Sequence, residues 1–284
     1  MNEIAAAILF PAVSEAMQNG HDARQLYIDL MKKTLTASVY DESGWESVSA
    51  SKNPIRNLIL AELNKRAISI VKRRPLDSSS RHEGRDWPLF GYTMAGHLRL
   101  DNVQSCVDDV LANGIPGDFI ETGAWRGGTT IFMRALLKAY GESSRKVWVA
   151  DSFEGLPKPK NDTDGWDLSD VAYLKVSLEQ VKENFRKFDL LDGQVEFLQG
   201  WFCDTLPTAK IDQLSILRLD GDLYSSTMDA LENLYHKVSP GGYVIVDDYN
   251  SWPSCRKAVH DFLAARSLEP EIETIDFTGV YWQV

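Results

Sequence analysis

Four aspartates follow two apolar segments in the second half of the chain. Asp220 and Asp222 come after one segment, and Asp247 and Asp248 come directly after the next. Apolar runs of about 4–8 residues bounded by turns are typical of buried strands. Side chains that follow neighbouring parallel strands meet at one edge of a sheet, where ligands bind. We therefore expect these carboxylates to lie in one site.

A divalent metal is the ligand that this set of side chains favours. Asp220, Asp247 and Asp248 offer only oxygen donors, and these segments contain no histidine or cysteine. Oxygen-only clusters suit Mg²⁺, which keeps water or substrate oxygens in its remaining positions. The alternative, in which the aspartates cap helices that begin near Ser226 and Ser251, explains one or two of them but not all.

Asp222 is the candidate general base. Gly221 allows the chain to turn sharply, so that Asp222 can face the same cavity. A carboxylate there can accept the proton of a hydroxyl group whose pKa a bound metal has lowered. The alternative is an aspartate in a solvent-exposed turn.

A glycine-rich turn lies in the segment ETGAWRGGTT, between a predicted strand and a predicted helix. Gly123, Gly127 and Gly128 let the backbone approach a bound molecule closely, although such turns can also serve only for packing. The segment lacks the GKS/T ending of a P-loop and the GxGxxG pattern of NAD-binding folds. Glu121 would repel a pyrophosphate and suits an ammonium or sulfonium group.

Asp151 ends the next predicted strand, about 20 residues beyond the glycine-rich turn. A doubly wound nucleoside site places an acid there to accept hydrogen bonds from ribose hydroxyls. The alternative is an aspartate that caps the following helix or turn. Together, the turn and Asp151 indicate a nucleoside, and Glu121 indicates that it is cationic. S-adenosylmethionine has both features.

The elements that must position these residues alternate between apolar runs and amphipathic helices. This alternation predicts an α/β fold, in which helices cover both faces of a mostly parallel, Rossmann-like sheet. The C-terminal segment EIETIDFTGVYWQV adds two short β-prone runs, which predict a hairpin at the sheet edge. The other predicted strands are 118–121, 146–151, 195–200, 214–220 and 242–248.

The N-terminal part differs in pattern from the rest of the chain. Residues 1–100 are predicted to form a helical extension, and residues 101–284 the cofactor-binding core. Helical spacing predicts helices over 22–35 and within 53–74, whereas the Ser-, Arg- and Pro-rich segment 73–88 predicts a loop.

The polar segment 158–175 is too long for a simple connector within the core. It is a candidate lid, with Trp166 or Tyr173 over the acceptor, and the alternative is a disordered surface loop.

His97, near candidate cofactor residues, is the one histidine that would be tested for catalysis.

Composition narrows the classes of partner. The net charge of −11 disfavours nucleic acid, because binding a phosphate backbone requires clusters of Lys and Arg. The apolar opening segment 4–13 is shorter than the roughly 18 residues of a membrane helix and lacks a basic leader, so we expect a cytoplasmic protein without a membrane anchor. Cys106, Cys203 and Cys255 are far apart, which predicts reduced thiols.

Several segments carry a resemblance to a known family: TMAGHLRLDNVQSCVDDVL, GDFIETGAWRGG, VWVADSFEGLP, FLQGWFCDTLP, LRLDGDLYSSTMDALENLY and GGYVIVDDY. They resemble the metal-dependent macrocin O-methyltransferase family, whose members methylate deoxysugars of macrolide and aminocoumarin antibiotics. The similarity begins at about residue 25. It implies a class I methyltransferase fold, with a seven-stranded sheet whose last strand is antiparallel and helical additions before the core.

The same resemblance implies roles for individual residues. Asp220, Asp247 and Asp248 would hold Mg²⁺, and Asp222 would be the base. The S-adenosylmethionine site would comprise Thr93, Met94, Glu121, Thr122, Gly123, Ala124, Trp125, Asp151, Ser152, Gly200 and Trp201.

The predicted function is S-adenosylmethionine- and Mg²⁺-dependent methylation of a hydroxyl group, by family a deoxysugar hydroxyl of a glycosylated small molecule in antibiotic biosynthesis. A phenolic or other polyol acceptor is the alternative, although the lysine that catechol O-methyltransferases carry near the base is absent beside Asp222. Two other classes of protein are alternatives. One is an NAD-linked sugar oxidoreductase, which would need a dinucleotide fingerprint, and the other is a noncatalytic cofactor-binding relative. The N-terminal helices could serve a homo-oligomer.

Overall fold

A seven-stranded sheet forms the centre of the protein in a computed structural model that describes residues 23–40, 45–48, 53–66, 68, 70–73 and 77–284. The strands are β1 (Trp45–Ser47), β2 (Val71–Arg73), β3 (Asp118–Thr122), β4 (Val147–Asp151), β5 (Val195–Gln199), β6 (Leu214–Leu219), β7 (Val238–Val246), β8 (Glu273–Thr274) and β9 (Val280–Gln283). β1 and β2 form an antiparallel ribbon, and the other strands form the sheet in the order β5-β4-β3-β6-β7-β9-β8.

The strand order creates the crevice in which a ligand can bind. β3 to β7 are parallel, and the chain runs from β3 outward to β5 on one side and then from β6 to β7 on the other. Ligands of such sheets bind at the carboxyl ends of the strands where the order reverses, here between β3 and β6. β9 pairs antiparallel with β7 and β8. The predicted, mostly parallel sheet with an edge hairpin is confirmed.

Helices cover both faces of the sheet, as predicted. The described helices are α1 (23–35), α2 (Pro54–Lys65), α3 (Ser78–Glu83), α4 (Gly96–Ala112), α5 (Gly128–Tyr140), α6 (Leu178–Lys187), α7 (Phe202–Thr205), α8 (Tyr224–Leu234) and α9 (Pro253–Ala265). Alternate strand residues point to opposite faces. Phe119 therefore belongs to the apolar cluster that includes residues of α1, α4, α5 and α6, whereas Ile120 belongs to the cluster that includes residues of α8 and α9. Within the described residues, no helix is long and apolar enough to cross a bilayer.

The N-terminal part differs from the prediction in two places. The helix predicted within 53–74 ends at Lys65, and residues further along form β2. The predicted loop 73–88 contains α3, because the Asp77 side chain accepts a hydrogen bond from Ser79 N and caps the helix. The apolar opening segment 4–13 lies outside the described residues.

The predicted boundary at residue 100 falls inside α4. This helix is continuous from Gly96 to Ala112, and Ile28 and Leu35 of α1 join Leu100 in one apolar cluster. α1 therefore packs directly on the helices of the sheet. The division into an extension and a core stays a prediction.

Candidate active site

A cavity of about 370 Å³ lies at the carboxyl ends of β3, β4, β5 and β6. Its walls include residues that directly follow each of these strands, which is where the strand order predicts a ligand. The predicted site residues that line it are Met94, Gly123, Trp125, Asp151, Ser152, Gly200, Trp201, Asp220 and Asp222. The fold therefore brings together most of the residues that the sequence singled out.

The other predicted residues are not among those that line the cavity: Thr93, Glu121, Thr122, Ala124, Asp247 and Asp248. Two of them support lining residues or their neighbours. Thr93 Oγ1 accepts a hydrogen bond from Ala95 N at 3.0 Å, and Ala124 N donates to Asp151 Oδ2 at 2.7 Å. Thr122 is fully buried at the end of β3.

The glycine-rich turn lies directly against the end of β6. Gly123 has a φ of +92°, and a Cβ at this position would lie 1.8 Å from the backbone oxygen of Asp220. Only glycine permits this approach. On the other side, the Asp151 carboxylate accepts hydrogen bonds from the N–H groups of Ala124 (2.7 Å), Trp125 (3.1 Å) and Phe153 (2.7 Å). Asp151 therefore holds the glycine-rich turn and, through Phe153, caps the turn that follows β4, and it also lines the cavity.

Asp220, Asp247 and Asp248 come together as the sequence predicts. One carboxylate oxygen of each lies within 4.8 Å of those of the other two. Within the described part of the chain, the buried Asp248 Oδ2 has no hydrogen-bond partner. Burial, followed by the charges of the neighbouring aspartates, raises the pKa of Asp248 well above its ordinary value. A hard divalent cation would give this oxygen a partner and offset the clustered charge, so the residues fit Mg²⁺.

Arg218 neutralises part of the cluster and was missed by the sequence analysis. It is 1% exposed, and its guanidinium donates to Glu121, to Asp220 Oδ2 at 2.7 Å and to Asp247. The sequence does show a charged residue inside the apolar run of β6. Since a buried arginine requires acidic partners, this residue could have been expected to pair with the aspartates.

Arg99 of α4 holds Asp247 from the other side. Its guanidinium donates to Asp247 Oδ2 and to the carbonyl oxygens of Gly84 (3.0 Å) and Met94 (3.1 Å), and its Nε lies 3.0 Å from Asp276 Oδ2. Both oxygens of Asp247 are therefore fixed by guanidinium groups. Each carboxylate oxygen has a second lone pair, so these bonds leave Asp247 able to bind a cation.

Glu121 has a different environment from the predicted one. It is 1% exposed and pairs with Arg218, which is also its register partner between β3 and β6. Partners in a ladder project to the same face of the sheet, so the two side chains meet. Burial raises the pKa of Glu121 to about 8. The predicted contact between Glu121 and a cationic ligand has no support in this geometry.

Asp222 faces the cavity beside the acidic cluster. Its backbone is in the left-handed region, with a φ of +57°, which Asp and Asn tolerate better than most residues. Burial, followed by the charge of Asp220, raises the pKa of Asp222 to about 7. A carboxylate with this pKa is suited to accept a proton near neutral pH.

Segment 158–175 lies along the cavity and is attached to the glycine-rich turn. Leu174 lines the cavity, and Trp125 Nε1 donates to the backbone oxygen of Tyr173 at 2.9 Å. Trp166 and Tyr173, which were predicted to cover the acceptor, are not lining residues. The lid role of the segment stays a prediction.

His97 makes structural contacts outside the cavity. Its Nε2 lies 3.1 Å from Thr36 Oγ1 and 2.9 Å from Ser38 Oγ, and its ring stacks on His82 with a centroid distance of 5.4 Å. Burial lowers the pKa of His97. These contacts join the end of α1 to α3 and α4, and they give no reason to assign catalysis to this histidine.

Comparisons with known proteins find relatives over nearly the whole chain. The family model for macrocin-O-methyltransferase (TylF) matches residues 24–284. The 8-demethyl-8-(2,3-dimethoxy-alpha-L-rhamnosyl)-tetracenomycin-C 4'-O-methyltransferase of Streptomyces olivaceus is 48% identical over 267 residues, which cover 92% of this chain and 94% of that protein. The demethyldecarbamoylnovobiocin O-methyltransferase of Streptomyces niveus is 46% identical over 279 residues, with coverages of 96% and 98%. The solved structure of the O-methyltransferase NovP superposes with a TM-score of 0.79 at 46% identity, over 92% of this chain and 98% of that one.

Proposed function

Because the chain belongs to the macrocin O-methyltransferase family, as its sequence predicts, and has the class I methyltransferase fold, we propose that it methylates a deoxysugar hydroxyl of a glycosylated natural product. Membership in this family makes the protein an O-methyltransferase. The finer proposal is that S-adenosylmethionine is the methyl donor and Mg²⁺ is required. The observation that carries the Mg²⁺ requirement is the cluster of three carboxylates, gathered within 4.8 Å beside the cavity. The cofactor is supported by the glycine-rich turn and Asp151, which line the cavity.

The proposed cofactor site combines two layers of residues. The lining residues Gly123, Trp125, Asp151 and Ser152 follow β3 and β4, where a doubly wound sheet binds nucleosides. Met94, Gly200 and Trp201 extend the wall. Thr93, Glu121, Thr122 and Ala124 are buried and do not line the cavity, and we assign them to shaping the site.

The proposed mechanism assigns a role to each residue of the acidic cluster and to the two arginines that contact it. When bound, the cofactor supplies the methyl group and the cation lowers the pKa of the acceptor hydroxyl. Asp220, Asp247 and Asp248 would hold the cation, while Arg99 and Arg218 keep Asp247 in place. The Asp222 carboxylate would take the hydroxyl proton. Fixing both reactants in one cavity replaces a bimolecular encounter with an oriented one.

The acceptor class is supported by the relatives. One is named for methylating a rhamnosyl-tetracenomycin and another for methylating demethyldecarbamoylnovobiocin. A phenolic or other polyol acceptor is the second candidate. An NAD-linked oxidoreductase is disfavoured by the absence of a GxGxxG fingerprint in the glycine-rich turn.

Calorimetric titration tests the cofactor. S-adenosylmethionine is expected to bind with a Kd in the micromolar to millimolar range, roughly 1 μM–1 mM as for enzyme substrates in general, while NAD gives no binding heat.

EDTA is expected to abolish methyl transfer to glycosides, measured by mass spectrometry as the gain of one methyl group. If NAD bound and S-adenosylmethionine did not, the proposal would be refuted. If S-adenosylmethionine bound but no methyl group reached any glycoside, phenol or polyol, the protein would be a noncatalytic relative.

A further inference from the structure

Trp166 is a large apolar side chain held in solvent next to the site. It is 76% exposed, more than any other large hydrophobic side chain among the described residues. Its ring packs edge-on against Trp252, with a centroid distance of 5.5 Å and an interplanar angle of 74°. Scattered exposed apolar residues need no special explanation. The segments that carry this pair, however, are hydrogen-bonded to the cavity wall and to the aspartates of the proposed active site.

The segment before Trp166 is anchored to the cavity wall. Asp164 is 1% exposed, and its carboxylate accepts hydrogen bonds from the backbone N–H groups of Ser225 at 2.7 Å and Lys160 at 2.6 Å. Both Ser225 and Lys160 line the cavity. These two charge-assisted hydrogen bonds attach the loop to the cavity wall two residues before Trp166.

Trp252 is tied to the acidic residues themselves. Its backbone N–H donates to the backbone oxygen of Asp248 at 2.9 Å. Two residues later, Ser254 Oγ donates to the backbone oxygen of Asp222 at 3.3 Å, and Gly165 lies against this same serine. The segments that carry the two tryptophans are therefore joined to Asp222 and Asp248, the residues that the proposed mechanism places beside the acceptor hydroxyl.

The size of the cavity limits what it can enclose. Its volume of about 370 Å³ is near the lower end of the range of about 300–1,000 Å³ that accommodates a single drug-sized ligand. A nucleoside cofactor alone would take up most of this space. Any bulky group attached to the acceptor sugar would then lie outside the cavity.

We propose that Trp166 and Trp252 form a binding site for the apolar aglycone of the acceptor, with aromatic or polycyclic aglycones preferred. This inference rests on the proposed function, because it requires the sugar to reach Asp222. Aromatic rings bind one another in offset-stacked or edge-to-face geometry. Two perpendicular rings offer an aromatic aglycone a ring face for stacking and a ring edge for edge-to-face contact. The pair selects among acceptors by their aglycone and takes no part in the chemical step.

The test compares two rhamnosides that differ only in the aglycone. Rhamnose is chosen because the name of one relative's substrate contains it. Binding of 4-nitrophenyl α-L-rhamnopyranoside and methyl α-L-rhamnopyranoside is measured by calorimetry, with S-adenosylhomocysteine and Mg²⁺ present. The unaltered protein is expected to bind the aryl glycoside about two- to tenfold more tightly, as aromatic pairing provides. Trp166→Ala should remove the preference for the aryl glycoside, and Trp166→Phe should keep part of it. The Kd of S-adenosylhomocysteine should be unchanged in both variants.

Each other outcome overturns the inference. Equal binding of the two rhamnosides by the unaltered protein, or a preference that survives Trp166→Ala, would refute the aglycone site alone. Failure of both rhamnosides to bind while the cofactor product binds would refute the deoxysugar acceptor and the aglycone site with it. A dimer that dissociates in Trp166→Ala, seen by sedimentation, would instead assign the exposed ring to contact between copies of the chain.

Discussion

Asp222→Asn is expected to lower kcat about 10²- to 10⁴-fold, the usual contribution of a general base, while leaving cofactor affinity nearly unchanged. The amide keeps the shape of the carboxylate and cannot take up the acceptor proton. Asparagine also tolerates the left-handed backbone that Asp222 adopts, with its φ of +57°, so the turn should be preserved. The effect should therefore appear in the chemical step and not in folding.

Single-turnover rates, followed by mass spectrometry of the methylated acceptor, measure this effect directly. Asp212→Asn is the matched control, because Asp212 is exposed and precedes β6, at the end of the strand away from the cavity. The control should turn over like the unaltered protein. A kcat for Asp222→Asn equal to that of the control would remove Asp222 as the base.

Asp248→Asn is expected to weaken divalent cation binding by more than about 100-fold, because loss of a ligand should exceed the roughly 10–100-fold effect of losing an outer hydrogen-bond partner. Turnover should be lost with it. The electron paramagnetic resonance signal of free Mn²⁺ gives the affinity without any need for catalysis. Asp212→Asn again serves as the control and should bind Mn²⁺ normally.

A second measurement on Asp248→Asn separates a metal ligand from a structural residue. Burial, followed by the charges of the neighbouring aspartates, disfavours the charged form of Asp248 in the folded protein and so raises its pKa. Without metal, replacing this carboxyl group with a neutral amide should leave the urea midpoint in EDTA unchanged or higher. A lower midpoint in EDTA combined with normal Mn²⁺ binding would show that Asp248 is structural.

The position of the site could be predicted because strand ends are visible in the sequence. Each parallel strand is a short apolar run, and the residue types that follow the runs differ from those within them. The rule that ligands bind at the carboxyl edge then places Asp151, Asp220 and Asp247 near one another without any knowledge of strand order. Only their separation, and which oxygens remain without partners, required coordinates.

The pairing of buried charges could not be predicted in the same way. Arg99 comes from α4, far in sequence from Asp247, and periodicity gives no information about contacts between distant side chains. Glu121 was assigned by its charge to a cationic ligand, whereas the register of β3 and β6 places Arg218 beside it. The helix α3 was missed because its composition is that of a loop, although Asp77 caps its N-terminus and Gly84 ends it in the left-handed region.

Anomalous diffraction from a crystal grown with Mn²⁺ and S-adenosylhomocysteine tests the central claim most directly. The claim predicts a single metal peak between the carboxylates of Asp220, Asp247 and Asp248, next to cofactor density in the cavity lined by Gly123 and Asp151. Cofactor density in the cavity with no metal peak among these three carboxylates would contradict it.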